Sequence, residues 1–411
     1  MAKEDRMPST FRSLGYRDFR YFWIGALLSN VGTWMQMIAL GALVVFVLKG
    51  SAITVGIVQF ASTIPVLFLS MFAGVLADRV NRRSLLIVTQ VLLLVQAVAL
   101  GWLTQVRAIT VPSLIAIVLA GGVMTALMFP AWQAMLPDLV PRKDLLNAIA
   151  LNSAQFQSAR FIGPAIAGLV LAGIGYAAVF YLNGFSYLTV IVALAVIRPK
   201  QEARPHTDES PFRALTGGLR YARENTCVLV YLATVAVSTV FGFFYIYLMP
   251  IVAKGYGIGP QGLGYLMAAS GLGAVGGALF VARLPHETRK DILVKTGLVI
   301  VGVLLLAFAY SPSPWLSMAL LVAIGGAFMA VSSGANTAIQ SMVPHHIRGR
   351  IMALFVLCFM GMMPFSSLLA GALGEKVGVG AAIAIGAAVI LAHGSLLFAR
   401  PSLLLPCRDG S

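Results

Sequence analysis

The feature that most constrains this chain is a succession of apolar runs, each about 20 residues long, separated by short polar breaks. A helix of that length crosses the ~30 Å hydrocarbon core of a bilayer. In lipid the backbone polar groups must bond within the segment, which leaves helices or a closed barrel. The runs are unbroken mixtures of Leu, Val, Ala and Gly, not the short alternating strands of a barrel. Composition agrees: 59% of residues are hydrophobic and 10% charged, against about 25% charged in soluble domains. We therefore expect an all-α membrane protein with 12 transmembrane helices.

A long polar stretch divides the runs six and six. The expected organisation is a leader (1–20), a first six-helix bundle (21–197), a linker (198–225), a second six-helix bundle (226–399) and a tail (400–411). Within the linker, Phe212, Leu215, Leu219 and Ala222 recur at helical spacing, as in a helix lying at a membrane interface. The net charge of +15 raises the question of nucleic acid. Placement answers it. With the N-terminus taken as cytoplasmic, 24 of the 29 Lys and Arg fall in the leader, alternate loops, linker and tail; four fall in the opposite loops and one, Arg160, within a span. That asymmetry is the positive-inside pattern, with both termini cytoplasmic, and the scatter over separate segments excludes a nucleic-acid reading head. Cys227, Cys358 and Cys407 have no paired spacing, so neither a disulfide framework nor a metal site is expected.

An internal repeat supports the division. Pro141 and Pro344 stand 203 positions apart, as do the pairs Ala167-Gly168 and Ala370-Gly371. Duplicated halves are common in transporter folds; the competing explanation is chance among abundant Gly and Ala.

One polar island breaks the apolar background between spans two and three. Gly74, Asp78, Arg79, Arg82 and Arg83 fall within ten residues. This pattern at that place resembles the loop signature of the major facilitator superfamily, and the resemblance covers the whole chain. Further segments resemble the branch containing enterobactin exporters and macrolide or multidrug efflux proteins: FRYFWIGALLSNVGTWMQMIAL (Phe19–Leu40), FPAWQAMLPDLVPRKDLLNA (Phe129–Ala148) and RFIGPAIAG (Arg160–Gly168). The resemblance implies the major facilitator fold and a gating loop. There Asp78 would cap the helix of span eleven, and Arg82 would pair with Asp138 at the end of span four. The signature usually has Gly where this chain has Asn81, a residue that tolerates left-handed backbone. The competing reading of the island is a purely topogenic basic loop.

Arg160 is the one basic residue placed well inside an expected span, and an intramembrane charge is costly enough to suggest function. It would bind an anionic substrate or pair with a mobile carboxylate; the alternative is snorkelling to the interface. Asn152 and Gln155 share a helix face, as do Asn30 with Trp34 and Asn336 with Gln340. The resemblance places these spans around a central cavity, with Gln59 and Tyr245 joining them; the alternative is interhelical hydrogen bonding. Gly163 and Pro164 are expected to serve helix packing and bending. His393 is expected to bond between helices.

The resulting expectation is an inner-membrane secondary transporter, a monomer exporting small amphipathic molecules such as drugs or a siderophore by alternating access, with protons as the coupling ion. No cofactor is expected. No phosphate-binding Gly-rich loop followed by Lys-Ser/Thr is present, and no constellation suggests an enzyme. A dedicated siderophore exporter, a nutrient importer and a transport-inactive receptor or scaffold on the same fold remain open alternatives.

Overall fold

The computed structural model describes residues 9–197, 211–285, 288–400 and 403. It holds fifteen α-helices, and no strand occurs among the described residues. Twelve helices or helix pairs are long and apolar enough to cross a membrane. In order they are α1 (Arg17–Ala42), α2 (Ala52–Arg79), α3 (Arg82–Gln105), α4 (Val111–Met135), α5 (Leu145–Gly173) and α6 (Tyr176–Val196). After α7 (Pro211–Glu224) come α8 (Thr226–Gly242), α9 (Phe244–Gly255), α10 (Gly259–Ala282), α11 (Lys290–Ala309), α12 (Pro314–Met342), α13 (His345–Met360), α14 (Met363–Val377) and α15 (Val379–Ala399). The pairs α8–α9 and α13–α14 each make one span, broken at Phe243 and at Gly361-Met362. Span one continues from α1 through a π-helical turn, Leu43–Val47.

The chain divides into two compact units, Met1–Leu40 with Phe68–Asp208 and Gly41–Leu67 with Glu209–Ser411. In the first unit, small residues let helices approach. Gly25 of α1 lies against Thr189 and Val190 of α6, and Gly184 of α6 against Ala97 of α3. Without competing water, such close van der Waals packing is a main source of helix association in lipid. Buried hydrogen bonds add to it: Asn183 donates to Gln36 Oε1 at 2.8 Å and to the Tyr187 hydroxyl at 3.2 Å.

In the second unit α10 and α12 cross most tightly. Gly273 meets the backbone of Val322, and Gly277 that of Gly326, so neither position accommodates a side chain. The end of span one and the first part of α2 belong to this unit because of similar contacts. A β-carbon on Gly56 would stand 2.6 Å from the Ser367 carbonyl of α14, and one on Gly41 would stand 2.8 Å from Pro250 of α9.

The polar island is less of a loop than its composition suggests. Gly74–Arg79 belong to α2 and Arg82 opens α3, leaving Val80 and Asn81 as the connection. Asn81 does not use left-handed backbone. At φ −63° and ψ 114° it is the N-cap of α3, its side chain accepting from Ser84 N–H at 3.1 Å. The amide oxygen satisfies one of the free donors of the first helical turn. The linker is helical over α7, while residues 198–210 lie outside those described.

Candidate functional site

The first unit brings five of the expected site residues together along a seam between α1 and α5. Asn30 Nδ2 donates to Gln155 Oε1 at 3.1 Å, and Gln155 Nε2 donates to Asn152 Oδ1 at 3.3 Å. Gln155, the middle amide, is 2% exposed, and Asn30 and Asn152 on either side of it are half-buried. One turn further on, the rings of Trp34 and Phe156 meet edge-on with centroids 6.2 Å apart. The guanidinium carbon of Arg160 lies 5.6 Å from the centroid of the Trp34 ring, inside cation–π range. Gly163 closes the seam. A β-carbon there would stand 2.6 Å from Trp34 Cβ and 2.8 Å from the Val31 carbonyl. Pro164 has no N–H to offer the carbonyl of Arg160, four residues back, so the helical ladder is interrupted beneath the charge.

The arrangement follows from spacing. Asn152, Phe156, Arg160 and Gly163 recur at four, four and three residues and share one face of α5. Phe156 was absent from the expected set, although the same spacing identifies it. Chemically, the seam offers a delocalised cation, two aromatic rings and three amides within the membrane-spanning region. That combination suits an amphipathic molecule with a planar or anionic group.

The remaining cavity expectations belong to the second unit and make separate contacts there. Tyr245 is 2% exposed; its hydroxyl pairs with Ser270 Oγ at 2.9 Å and its ring meets Phe308. These contacts join α9 to α10 and α11. Gln340 Nε2 donates to Asn336 Oδ1 at 3.0 Å within α12. Gln59 is buried in α2, and its carbonyl accepts from Ser62 and Thr63. His393 joins α15 to α8 through the Thr234 hydroxyl at 2.9 Å.

At the polar island, Arg82 Nη1 lies 3.2 Å from Asp138 Oδ2, with the two side chains 8% and 6% exposed. The pair is dry because its sequence neighbours are apolar. Leu86, Leu136 and Leu139 join Phe19, Phe22, Met135, Val190 and Leu194 in one buried cluster. Arg83 has a different task. Its Nε and Nη2 donate to the carbonyls of Leu194 and Ala195 at 2.6 and 2.7 Å. A cation there satisfies carbonyls that the last turn of α6 leaves without intrahelical donors. A β-carbon on Gly74 meets no described atom within 4 Å, so no close contact accounts for that glycine. The side chains of Asp78 and Arg79 lie outside the described residues.

A second buried basic group lies at the edge of a span. Lys295 sits in the second turn of α11 with its side chain 4% exposed, 3.5 Å from Asp291, which Arg289 also engages at 3.0 Å. The Asp291–Lys295 spacing of four residues at the edge of an apolar run was the available signal.

Comparison with known proteins fits this architecture. Residues 8–406 match the family described as transmembrane secretion effector. The multidrug efflux pump Tap of Mycolicibacterium fortuitum is 25% identical over 365 residues, covering 86% of this chain and 88% of that protein. The enterobactin exporter EntS of Salmonella paratyphi A is 27% identical over 292 residues, covering 69% and 68%. Among solved structures, a point mutant of the nucleoside transporter NupG superposes with a TM-score of 0.76 at 12% identity, covering 93% of this chain and 99% of that one. A POT family transporter in complex with 5-aminolevulinic acid gives 0.75 at 11% identity, covering 96% and 100%. These two structures show the fold alone.

Proposed function

We propose, on the premise that this chain belongs to the transmembrane secretion effector family of major facilitator transporters and is a multi-pass membrane transporter rather than an enzyme, that it exports small amphipathic molecules by proton antiport. The two six-helix halves rock about a central binding region. The observation that carries this reading is the seam around Arg160. A cation held over Trp34 beside Phe156, Gln155 and Asn30 gives a membrane-embedded site both aromatic surface and charge. Asn30, Trp34, Asn152, Gln155 and Arg160 contact the substrate in this reading. Gln59, Asn336 and Gln340 are further candidates for substrate contact in this reading.

Asp78, Arg79, Arg82, Arg83 and Asp138 form the gate. The pair Arg82–Asp138 holds the α2–α3 connection against the end of α4, and Arg83 ties it to α6, so a change at the connection reaches three helices. The 24-to-4 division of basic residues supports an inner-membrane position with both termini in the cytoplasm. The resemblance to Tap favours drugs as substrates, and the resemblance to EntS favours a siderophore.

Growth of a deletion strain, with and without the gene restored, separates the two. Greater sensitivity to amphipathic drugs identifies a drug exporter; a defect confined to iron limitation identifies a siderophore exporter. Unchanged growth under both conditions, with the protein present in the parent's membrane, contradicts the export reading.

A further inference from the structure

The internal repeat coincides with two docking contacts that the proposed transport site does not use. In the first unit, the leader turn Ser9–Gly15 lies on the start of α5. Ser13 N–H donates to Asn147 Oδ1 at 3.0 Å, and its hydroxyl donates to the Asp144 carbonyl at 3.1 Å. The Tyr16 hydroxyl donates to Asp144 Oδ2 at 2.6 Å, and Arg12 Nη1 lies 3.6 Å from Oδ1. The Asp144 side chain is 3% exposed. Further along α1, Trp23 Nε1 donates to the Leu151 carbonyl at 2.9 Å.

In the second unit, α7 lies on the start of α13. A β-carbon on Gly218 would stand 3.2 Å from the Arg350 carbonyl and 3.3 Å from Leu354 Cδ1; one on Gly217 would stand 3.0 Å from Arg350 Nη1. Ala222, one turn on, is fully buried. Arg350 and Leu354 stand 203 positions after Asn147 and Leu151, the offset that separates Pro344 from Pro141. Moved by the same 203 positions, the leader turn falls on residues 212–218, inside α7. Each unit therefore contains the same contact. The segment that leads into a half's first span rests on the first three turns of that half's fifth span.

We propose that the leader turn and α7 are duplicated clasps that keep the fifth span of each half moving with its first span during transport, with Asp144 and Gly218 as positioning residues. The two clasps differ in chemistry. The leader is held in part by the Tyr16 hydrogen bond and the Arg12 ion pair to a buried carboxylate, so replacing that carboxylate loosens it. α7 is held by the close approach of Gly218 to the Arg350 carbonyl and Leu354, so bulk at Gly218 releases it. The proposal rests on the alternating-access reading. Packing of a surface segment without a mechanical role is the competing explanation, and it predicts no link between clasp integrity and turnover.

The test uses the full chain with Cys227, Cys358 and Cys407 replaced by Ser. Cysteines introduced as Ser13→Cys with Asn147→Cys, or as Gly217→Cys with Arg350→Cys, are joined in membranes by a short cleavable thiol cross-linker. The expected cross-linking yield is the same with and without an imposed proton gradient. Uptake of ethidium or carboxyfluorescein into inside-out vesicles is expected to stay within about twofold of the unlinked protein, since gating motion would leave the clasp closed. Failure to cross-link, a yield that changes with the gradient, or a loss of uptake that cleavage reverses would each overturn the proposal. Separately, Asp144→Asn and Gly218→Leu are expected to lower the maximal rate about fivefold or more with KM unchanged, and Asp144→Glu to recover part of it. A raised KM at unchanged rate would contradict the assignment. If the unlinked protein moves neither dye, the export reading fails, and the gradient dependence of cross-linking still decides the clasps.

Discussion

At the residue scale, the proposed substrate site turns on Arg160. It stands over Trp34 in the seam between α1 and α5, on the turn where Pro164 interrupts the helical ladder. Arg160→Ala is expected to lower carboxyfluorescein transport about tenfold or more and ethidium transport much less, because only the anion loses its charge partner. Initial rates in inside-out vesicles measure both, and equal losses for the two dyes would assign Arg160 to packing alone. The Arg82–Asp138 pair gives a stability prediction. Both side chains are more than nine-tenths buried, and removing one partner takes an ion-pair contact away from the other's buried charge. Arg82→Ala is expected to destabilise the protein by about 3–5 kcal/mol. Thermal unfolding in detergent reads this, and the double variant Arg82→Ala/Asp138→Ala is expected to lose less than the single one.

At the element scale, the two-residue connection between α2 and α3 works because Asn81 caps α3. Asn81→Ala removes the cap and is expected to cost ~1 kcal/mol, whereas Asn81→Gly, which restores the residue usual in the resembled signature, is expected to cost only a few tenths. Equal losses in the two variants would argue against a capping role. Gly163 sets the approach of α1 to α5. Gly163→Ala is expected to cost about 1–3 kcal/mol through overpacking against Trp34 and Val31, read as a lower unfolding temperature.

The element scale also shows what the sequence makes legible. Span existence and number follow from apolar length, and the face shared by Asn152 and Gln155 follows from helical spacing. Other features depend on partners distant in the chain. The carbonyls bound by Arg83 lie 111 and 112 positions away. The burial of Lys295 depends on how α11 packs, and charge alone places it in a loop. Tyr245 meets Ser270, 25 positions away, and Phe308, each on another helix. The allocation of residues 41–67 to the second unit rests on contacts such as Gly56 with Ser367.

At the scale of the whole molecule, the account requires a membrane-embedded chain whose two halves expose one site alternately to either side, driven by protons. No Asp or Glu lies in the middle of an expected span, so the coupling group is not a conventional mid-membrane carboxylate. Asp291 with Lys295, buried at the edge of α11, is the charged pair nearest that description in the second unit. Asp291→Asn is expected to weaken the dependence of transport on the proton gradient more than it weakens facilitated exchange of dye between equal pH. Unaltered coupling in that variant, measured in the same vesicles, would remove the pair from the mechanism.

The central claim is proton-driven export, and dye flux in inside-out vesicles tests it most directly. With an acid-inside gradient, the vesicles are expected to accumulate dye against its concentration, and a protonophore is expected to abolish the accumulation. Accumulation that ignores the gradient, or flux driven in the opposite direction, would contradict the account.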